Sequence, residues 1–145
     1  MIDISDKEVV RREAVAEGFI ELKKTTISAI LEGKIKKGDV REASRIAGVL
    51  GAKMTPQLIP HCHSVPLESV QTNFEVEGSK EVRVTCSVKA SYRTGVEMEA
   101  LSCVTSMLLT IWDMTKYLEK DEKGQYPSTA ISNIRVIIKK KGKVD

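Results

Sequence analysis

Two hydrophobic periods alternate along this chain. In "REAVAEGFIEL", Ala14, Ala16, Ile20 and Leu22 share one parity, which predicts a strand interrupted at Gly18. Thr26 then offers a side-chain N-cap to a short helix around "ISAILEG" that closes near Gly33. From a second N-cap candidate, Asp39, the residues Val40, Ala43, Ala47 and Leu50 recur at helical spacing with Ile46 alongside, predicting a helix with one apolar stripe. Gly48 and Gly51 leave gaps on it that suit close backbone packing or a near approach by a ligand. "TPQLIP" predicts one helical turn with Pro56 at its first position.

Two alternating runs follow: Val70, Thr72, Phe74, Val76, then Val82, Val84, Cys86, Val88. With a turn at Gly78 and Ser79 they predict a hairpin with one buried face. Residues 96–118 contain neither Gly nor Pro and are apolar nearly all round from Ala100 through Met114, so a central buried helix is expected. Glu97, Glu99, Asp113 and Lys116 within it, and the lack of basic anchors, argue against a membrane span. Beyond the polar loop "EKDEKGQYPSTA", Ile134, Val136 and Ile138 predict a last strand. The order strand, helices, hairpin, helix, strand predicts an α+β fold of the ferredoxin-like split βαβ kind, an antiparallel sheet covered by helices, with residues 1–145 as a single domain. Such a fold leaves function open.

Composition narrows the choice. Aromatic residues make up 4% of the chain, too few for the stacking platforms of a nucleic-acid-binding module. The net charge of +3 leaves only the closing "KKKGKVD" strongly one-signed, either a solvated tail or a phosphate clamp. Three cysteines without a CxxC, and an opening stretch without an apolar core of the signal-peptide kind, predict a soluble protein of a reducing cytoplasm.

Four groups of residues are candidates for chemistry. Glu97 and Glu99 open the central helix, where acids complement the helix dipole, yet a spacing of two places them on different sides of the axis. Asp113 and Lys116 are either an exposed i, i+3 ion pair or, set against apolar walls, a carboxylate and ammonium tuned for proton transfer. Lys53 is either a cation at a helix C-terminus or a partly buried lysine acting as acid or phosphate ligand. "IPHCHSVPL", residues 59–67, holds both histidines of the chain, His61 and His63, around Cys62 and between two prolines. As a metal clip it would need a further ligand from Cys86 or Cys103, both on core-facing positions, and its i, i+2 ligands would point to opposite sides of an extended segment. A stiffened substrate-binding loop and plain loop histidines are the other readings.

The segments "RIAGVLGAKMTPQLIPHCHSVPL", "TGVEMEALSCVTSMLLTIWDMTK" and "IRVIIKKKGK" together resemble the MoaC family, the cyclic pyranopterin monophosphate synthases of molybdenum cofactor biosynthesis, over nearly the whole chain. The resemblance implies a lyase that converts 3′,8-cyclo-7,8-dihydro-GTP to cyclic pyranopterin monophosphate with release of pyrophosphate. It also implies a ferredoxin-like fold and a homohexamer, a trimer of dimers, with active sites at subunit interfaces. By position it implies Asp113, Lys116 and Lys53 as catalytic residues, and His61, Cys62, His63, Glu97, Met98, Glu99, Lys139 and Lys143 as substrate-binding residues. It implies no metal site and no required cofactor, with Mg²⁺ able to accompany the substrate triphosphate, and neither nucleic acid nor membrane as partner. The chain departs from the family pattern at His61 and Ser64, usually leucine and proline, in a longer stretch near "KDEKGQYPSTA", and in "KKKGKVD" where a glycine-rich ending resembling KSGGKSG is usual.

Such a rearrangement needs several proton transfers and a positively charged seat for the phosphates. Asp113, Lys116 and Lys53 are suited to the first. Lys139, Lys140 and Lys143, with His63 and Arg12, are suited to the second. Two rival classes are a zinc-dependent hydrolase using the HCH segment and a ferredoxin-like RNA-binding module relying on the lysine tail.

Overall fold

The computed structural model describes residues 1–143. Its strands are β1 (Val10–Glu21), β2 (Ser69–Glu77), β3 (Glu81–Tyr92) and β4 (Ala130–Gly142), and its helices α1 (Lys24–Leu31), α2 (Val40–Lys53), α3 (Thr55–Leu58) and α4 (Glu97–Glu119). The strands form one sheet in the order β2-β3-β1-β4, every neighbouring pair antiparallel. Because β3 lies between β1 and β2, the βαβ unit is split, as the ferredoxin-like pattern requires.

Alternation in the strands delivers one face to the helices. Ala14, Ala16 and Ile20 of β1 and Val82, Val84, Cys86 and Val88 of β3 are fully buried, and α4 supplies Val104, Met107, Leu108 and Ile111 from the other side. The predicted hairpin forms, with Glu77 opposite Glu81 across the turn.

Asp39 caps α2 as expected, its carboxylate accepting from the Glu42 N–H at 3.0 Å. The apolar stripe does not hold, however: Ile46 and Leu50 are about half exposed, while Val40, Ser44, Gly48, Gly51 and Ala52 are buried. Proximity is the reason. A Cβ at Gly51 would fall 2.7 Å from Ser106 Cβ and 2.8 Å from the Ser102 carbonyl of α4, so only the small-residue face fits there.

Thr26 is not an N-cap either. α1 begins one turn earlier, after Lys23, and Thr26 is buried, its hydroxyl donating to the Glu119 carboxylate at the far end of α4. Glu119 is itself fully buried and also accepts from the Lys23 N–H at 3.1 Å and the Thr129 hydroxyl at 2.7 Å. These bonds tie the C-terminal end of α4 to the loops before α1 and β4. In α3, Pro56 occupies the second position rather than the first.

The last strand differs in a way that matters for the site. Ile134, Val136 and Ile138 do not share one face, because the β1–β4 register shifts between Val15 and Ala16 and again between Glu17 and Phe19. Ile138 pairs with Val15, on the face away from the helices, whereas Val136 pairs with buried Ala16. An irregularity of this kind moves every later side chain to the opposite face. Lys139 thereby lies opposite Ala14, on the helix side, and Lys140 opposite Glu13, on the other.

The cysteines give the remaining departure. Cys86 of β3 and Cys103 of α4 are joined by a disulfide, and Cys62 is the free thiol. A chain read as belonging to a reducing compartment was not expected to carry one.

Candidate active site

α4 carries polar groups at both ends, and they stand far apart. From Glu97 to Asp113 the helix climbs about 24 Å at ~1.5 Å per residue.

At the N-terminal end, residues 61–63 fold against the start of α4 and line a cleft of about 170 Å³ together with Gly95, Met98 and Glu99. Glu99 is buried, and burial pushes its carboxyl up from the ordinary glutamate range, with the Glu97 charge adding to the effect. Burial likewise raises the Cys62 thiol, helped by Glu99. Met98 is partly exposed at the rim. Glu97 lines the same cleft, so the spacing of two does not keep the two acids out of one site. For Glu97, burial is the largest single influence and works to raise the carboxyl, but the Lys139 hydrogen bond, a backbone hydrogen bond at its own N–H and the charges of Lys139 and Arg12 together hold the group below its ordinary range. Lys139 and Glu97 form an ion pair, made possible by the shifted register of β4.

Both histidines turn toward the N-terminal segment rather than to opposite sides. His63 Nε2 donates to the Ile2 carbonyl at 2.7 Å, and His61 Nδ1 lies 3.1 Å from the Met1 amino group. Among the described residues no three His, Cys, Asp or Glu side chains stand together as a metal-binding group. Cys86 and Cys103, the further ligands a clip would need, are bonded to each other.

At the C-terminal end, Asp113 sits between two ammonium groups. Lys116 Nζ is 3.0 Å from Oδ1 and Lys37 Nζ is 2.9 Å from Oδ2. The Lys37 hydrogen bond, then that of Lys116, holds the Asp113 carboxyl below the ordinary aspartate range, and Asp113 in turn raises Lys116. Apolar walls do not enclose this cluster within one protomer: the Asp113 side chain is 55% exposed. Lys37 was not among the residues singled out from the sequence. It lies 76 residues from Asp113 and reaches it only because α2 runs antiparallel to α4.

Lys53 is exposed, not partly buried. It closes α2 two residues after Gly51, which packs on Ser102 and Ser106, so it belongs to the half of the molecule that holds Glu99. Lys143 is exposed just beyond β4. Arg12, 7% exposed, donates from Nε to the Tyr92 carbonyl at 3.4 Å, and its charge acts on Glu97.

Fold and clusters together define a ferredoxin-like α+β protein with acid–base groups at both ends of its central helix. No helix among the described residues is long and apolar enough to cross a membrane. The MoaC family model matches residues 1–142, and the chain belongs to that family. Curated relatives agree. The chain is 55% identical over 139 residues to a protein of Sulfolobus acidocaldarius, covering 96% of each. It is 55% identical over 142 residues to one of Thermococcus kodakarensis, covering 98% of this chain and 90% of the relative. It is 52% identical over 141 residues to one of Thermoplasma acidophilum, covering 97% and 98%. Each of the three is named "Probable cyclic pyranopterin monophosphate synthase".

Proposed function

We infer that this chain is a cyclic pyranopterin monophosphate synthase, a lyase of molybdenum cofactor biosynthesis that converts 3′,8-cyclo-7,8-dihydro-GTP to cyclic pyranopterin monophosphate and releases pyrophosphate. Among the site's features, the observation that carries most weight is Asp113 held between Lys37 and Lys116. Rebuilding the ring system moves protons among carbon, nitrogen and oxygen. A carboxylate kept ionised beside two ammonium groups can accept a proton while a neighbouring lysine supplies one. Lys53 serves as a further cationic acid or charge stabiliser.

The N-terminal end of α4 takes the binding role. Glu99, Met98, Cys62 and His63 line the cleft, where Glu99 meets the amino and ring N–H groups of the guanine-derived portion. Lys139 and Lys143 hold the phosphates, with His61 at the edge of the same segment and Glu97 beside Lys139. No resident metal or organic cofactor is required, and Mg²⁺ accompanies the substrate triphosphate.

About 21 Å along one helix, at ~1.5 Å per residue, is too far for Asp113 and Glu99 of the same protomer to serve one small molecule. The site is therefore assembled from two copies, the Asp113 end of one meeting the Glu99 end of another, in a homohexamer built as a trimer of dimers. Ile46, Leu50, Met54 and Leu58, exposed in the isolated protomer, are surface that such an assembly can cover. A cytoplasmic location fits an enzyme acting on a nucleotide-derived substrate.

The test is to incubate the purified protein with the cyclised dihydro-GTP and follow pterin product and pyrophosphate by mass spectrometry. Stoichiometric formation of both is expected, with Asp113→Asn folded and nearly inactive. Neither product from a folded oligomer would overturn the reading.

A further inference from the structure

Glu97 stands where a ligand's anion would be expected. It is one of the acids that open α4, yet its carboxylate turns back on the chain: a Cβ at Gly95 would lie 2.2 Å from Oε2, so the carboxylate rests on a position that only glycine leaves free. Oε1 is paired with Lys139, and Arg12 contributes a second positive charge nearby. The next helix-side position on β4, Lys141, lies opposite Arg12 in the register.

These cations continue into a larger concavity. Arg12 and Lys141 also line a cleft of about 510 Å³ at this end of the sheet, together with Lys89 and Lys140. Glu13 and Glu68 lie in the same cleft, and Glu13 sits between Lys89 and Lys140 in the register. On the helix side, Lys139 is paired with Glu97, and Arg12 and Lys141 lie beside it.

The Glu97 to Lys139 pair is also suited to opening. Side-chain exposures of 24% and 58% place it at the surface, where an ion pair is weakly held and a freed carboxylate can be hydrated. Arginine and lysine bind phosphate oxygens by the same charge-assisted hydrogen bonds they make to carboxylate, and phosphate brings more charge.

We propose that Glu97 is a built-in occupant of an anion subsite formed by Lys139 and Arg12, displaced when a phosphate group of the ligand arrives and returning as pyrophosphate leaves. This rests on the reading that Lys139 belongs to the phosphate end of the substrate site. In the resting protein the carboxylate pairs with Lys139 and offsets part of the positive charge of the two cations. During release it competes with the departing pyrophosphate for the same cations and so weakens product retention. Glu97 is on this account a competitor that tunes phosphate binding from the wall of the cleft it shares with Glu99.

Isothermal titration of pyrophosphate into the full-length wild type, Glu97→Gln, Gly95→Ala and Lys139→Ala tests this, with circular dichroism verifying that each is folded. Removing a competitor that occupies most of the subsite should tighten binding by about threefold to sixfold in Glu97→Gln, since apparent affinity scales with the free fraction. Gly95→Ala, which dislodges the carboxylate without removing it, should tighten binding in the same direction, and Lys139→Ala should weaken it severalfold. Unchanged or weaker binding by Glu97→Gln, including no binding by any protein, overturns the proposal. Turnover of the cyclised dihydro-GTP by wild type is measured in parallel. Turnover without tightening sinks the placeholder alone, and tightening without turnover sinks the synthase reading alone.

Discussion

Lys37 and Asp113, 76 residues apart in the chain, meet with Nζ 2.9 Å from Oδ2. The contact follows from the antiparallel packing of α2 on α4, which brings the turn before α2 to the C-terminal end of the longer helix. Lys116 holds the other carboxylate oxygen from the same helix. A pair within one helix is thus converted into a three-member acid–base cluster by tertiary structure.

Removing Lys37 should be felt by Asp113 before anything else. Both ammonium groups depress its carboxyl, Lys37 most strongly. Lys37→Ala should therefore raise the Asp113 pKa toward the ordinary aspartate value, as followed by carboxyl NMR titration, and lower turnover by about 10² or more. An unmoved Asp113 titration would remove Lys37 from the cluster.

The Arg135 and Arg83 guanidinium groups converge on Glu17, at 2.7 and 2.9 Å. The Arg135 hydrogen bond holds the Glu17 carboxyl low against the opposing effect of burial, and Arg83 adds to it. A depressed carboxyl contributes stability that is fully present above its unfolded value, about 4.3, and is lost as pH falls through the folded one. Glu17→Gln should thus be less stable near neutral pH by about 1 kcal/mol and should lose less than wild type between pH 4.3 and lower values. Urea midpoints at pH 7, 4 and 3 measure this; parallel curves for the two proteins would contradict it.

Cys86 and Cys103 are bonded and Cys62 is free. A thiol reagent should therefore titrate one thiol in protein unfolded without reductant, and the full three after reduction. Closing a loop between residues 17 apart restrains the unfolded chain by about 3 kcal/mol, so reduction should lower the unfolding midpoint. Three thiols without reduction would show the bond absent.

Gly51→Ala tests the α2–α4 contact. The added Cβ would meet Ser106 Cβ and the Ser102 carbonyl inside 3 Å, and neither can move without shifting the helix. Destabilisation of about 1–3 kcal/mol is expected in thermal or urea unfolding. Ala47→Gly, at a half-buried position on the same helix, separates this clash from an intrinsic effect on helix propensity, which is about 1 kcal/mol.

Much of the fold was legible because the strands repeat cleanly. Val82, Val84, Cys86 and Val88 announce a one-sided strand, and every one is fully buried. The unbroken apolar stretch of α4 announced the central helix, and Asp39 its neighbour's cap. What failed had a common cause. Ile46 and Leu50 mark an apolar stripe on α2, but the helix approaches α4 too closely for large side chains, so the glycine side is the buried one. β4 lost its alternation at register shifts that depend on its partner strand. Thr26 had an apparent local role as a cap, while its actual partner, Glu119, lies 93 residues away.

The candidate site was legible by residue type and less so by arrangement. Asp113 with Lys116, and the pairing of Glu97 and Glu99 with residues 61–63, follow from local sequence and from resemblance. Lys37 carries no such signal, since "KKGD" reads only as a turn leading into a capped helix. The disulfide was equally hidden: two core-facing cysteines on different elements give no spacing motif.

Subunit complementation would test the shared site most directly. Asp113→Asn and Glu99→Ala, each inactive alone, would be unfolded together, reassembled as mixed oligomers and assayed with the cyclised dihydro-GTP. If each site takes its Asp113 end from one copy and its Glu99 end from another, about a quarter of the sites regain both groups and activity returns in that proportion. Mixed oligomers that form and stay inactive would contradict a site divided between subunits.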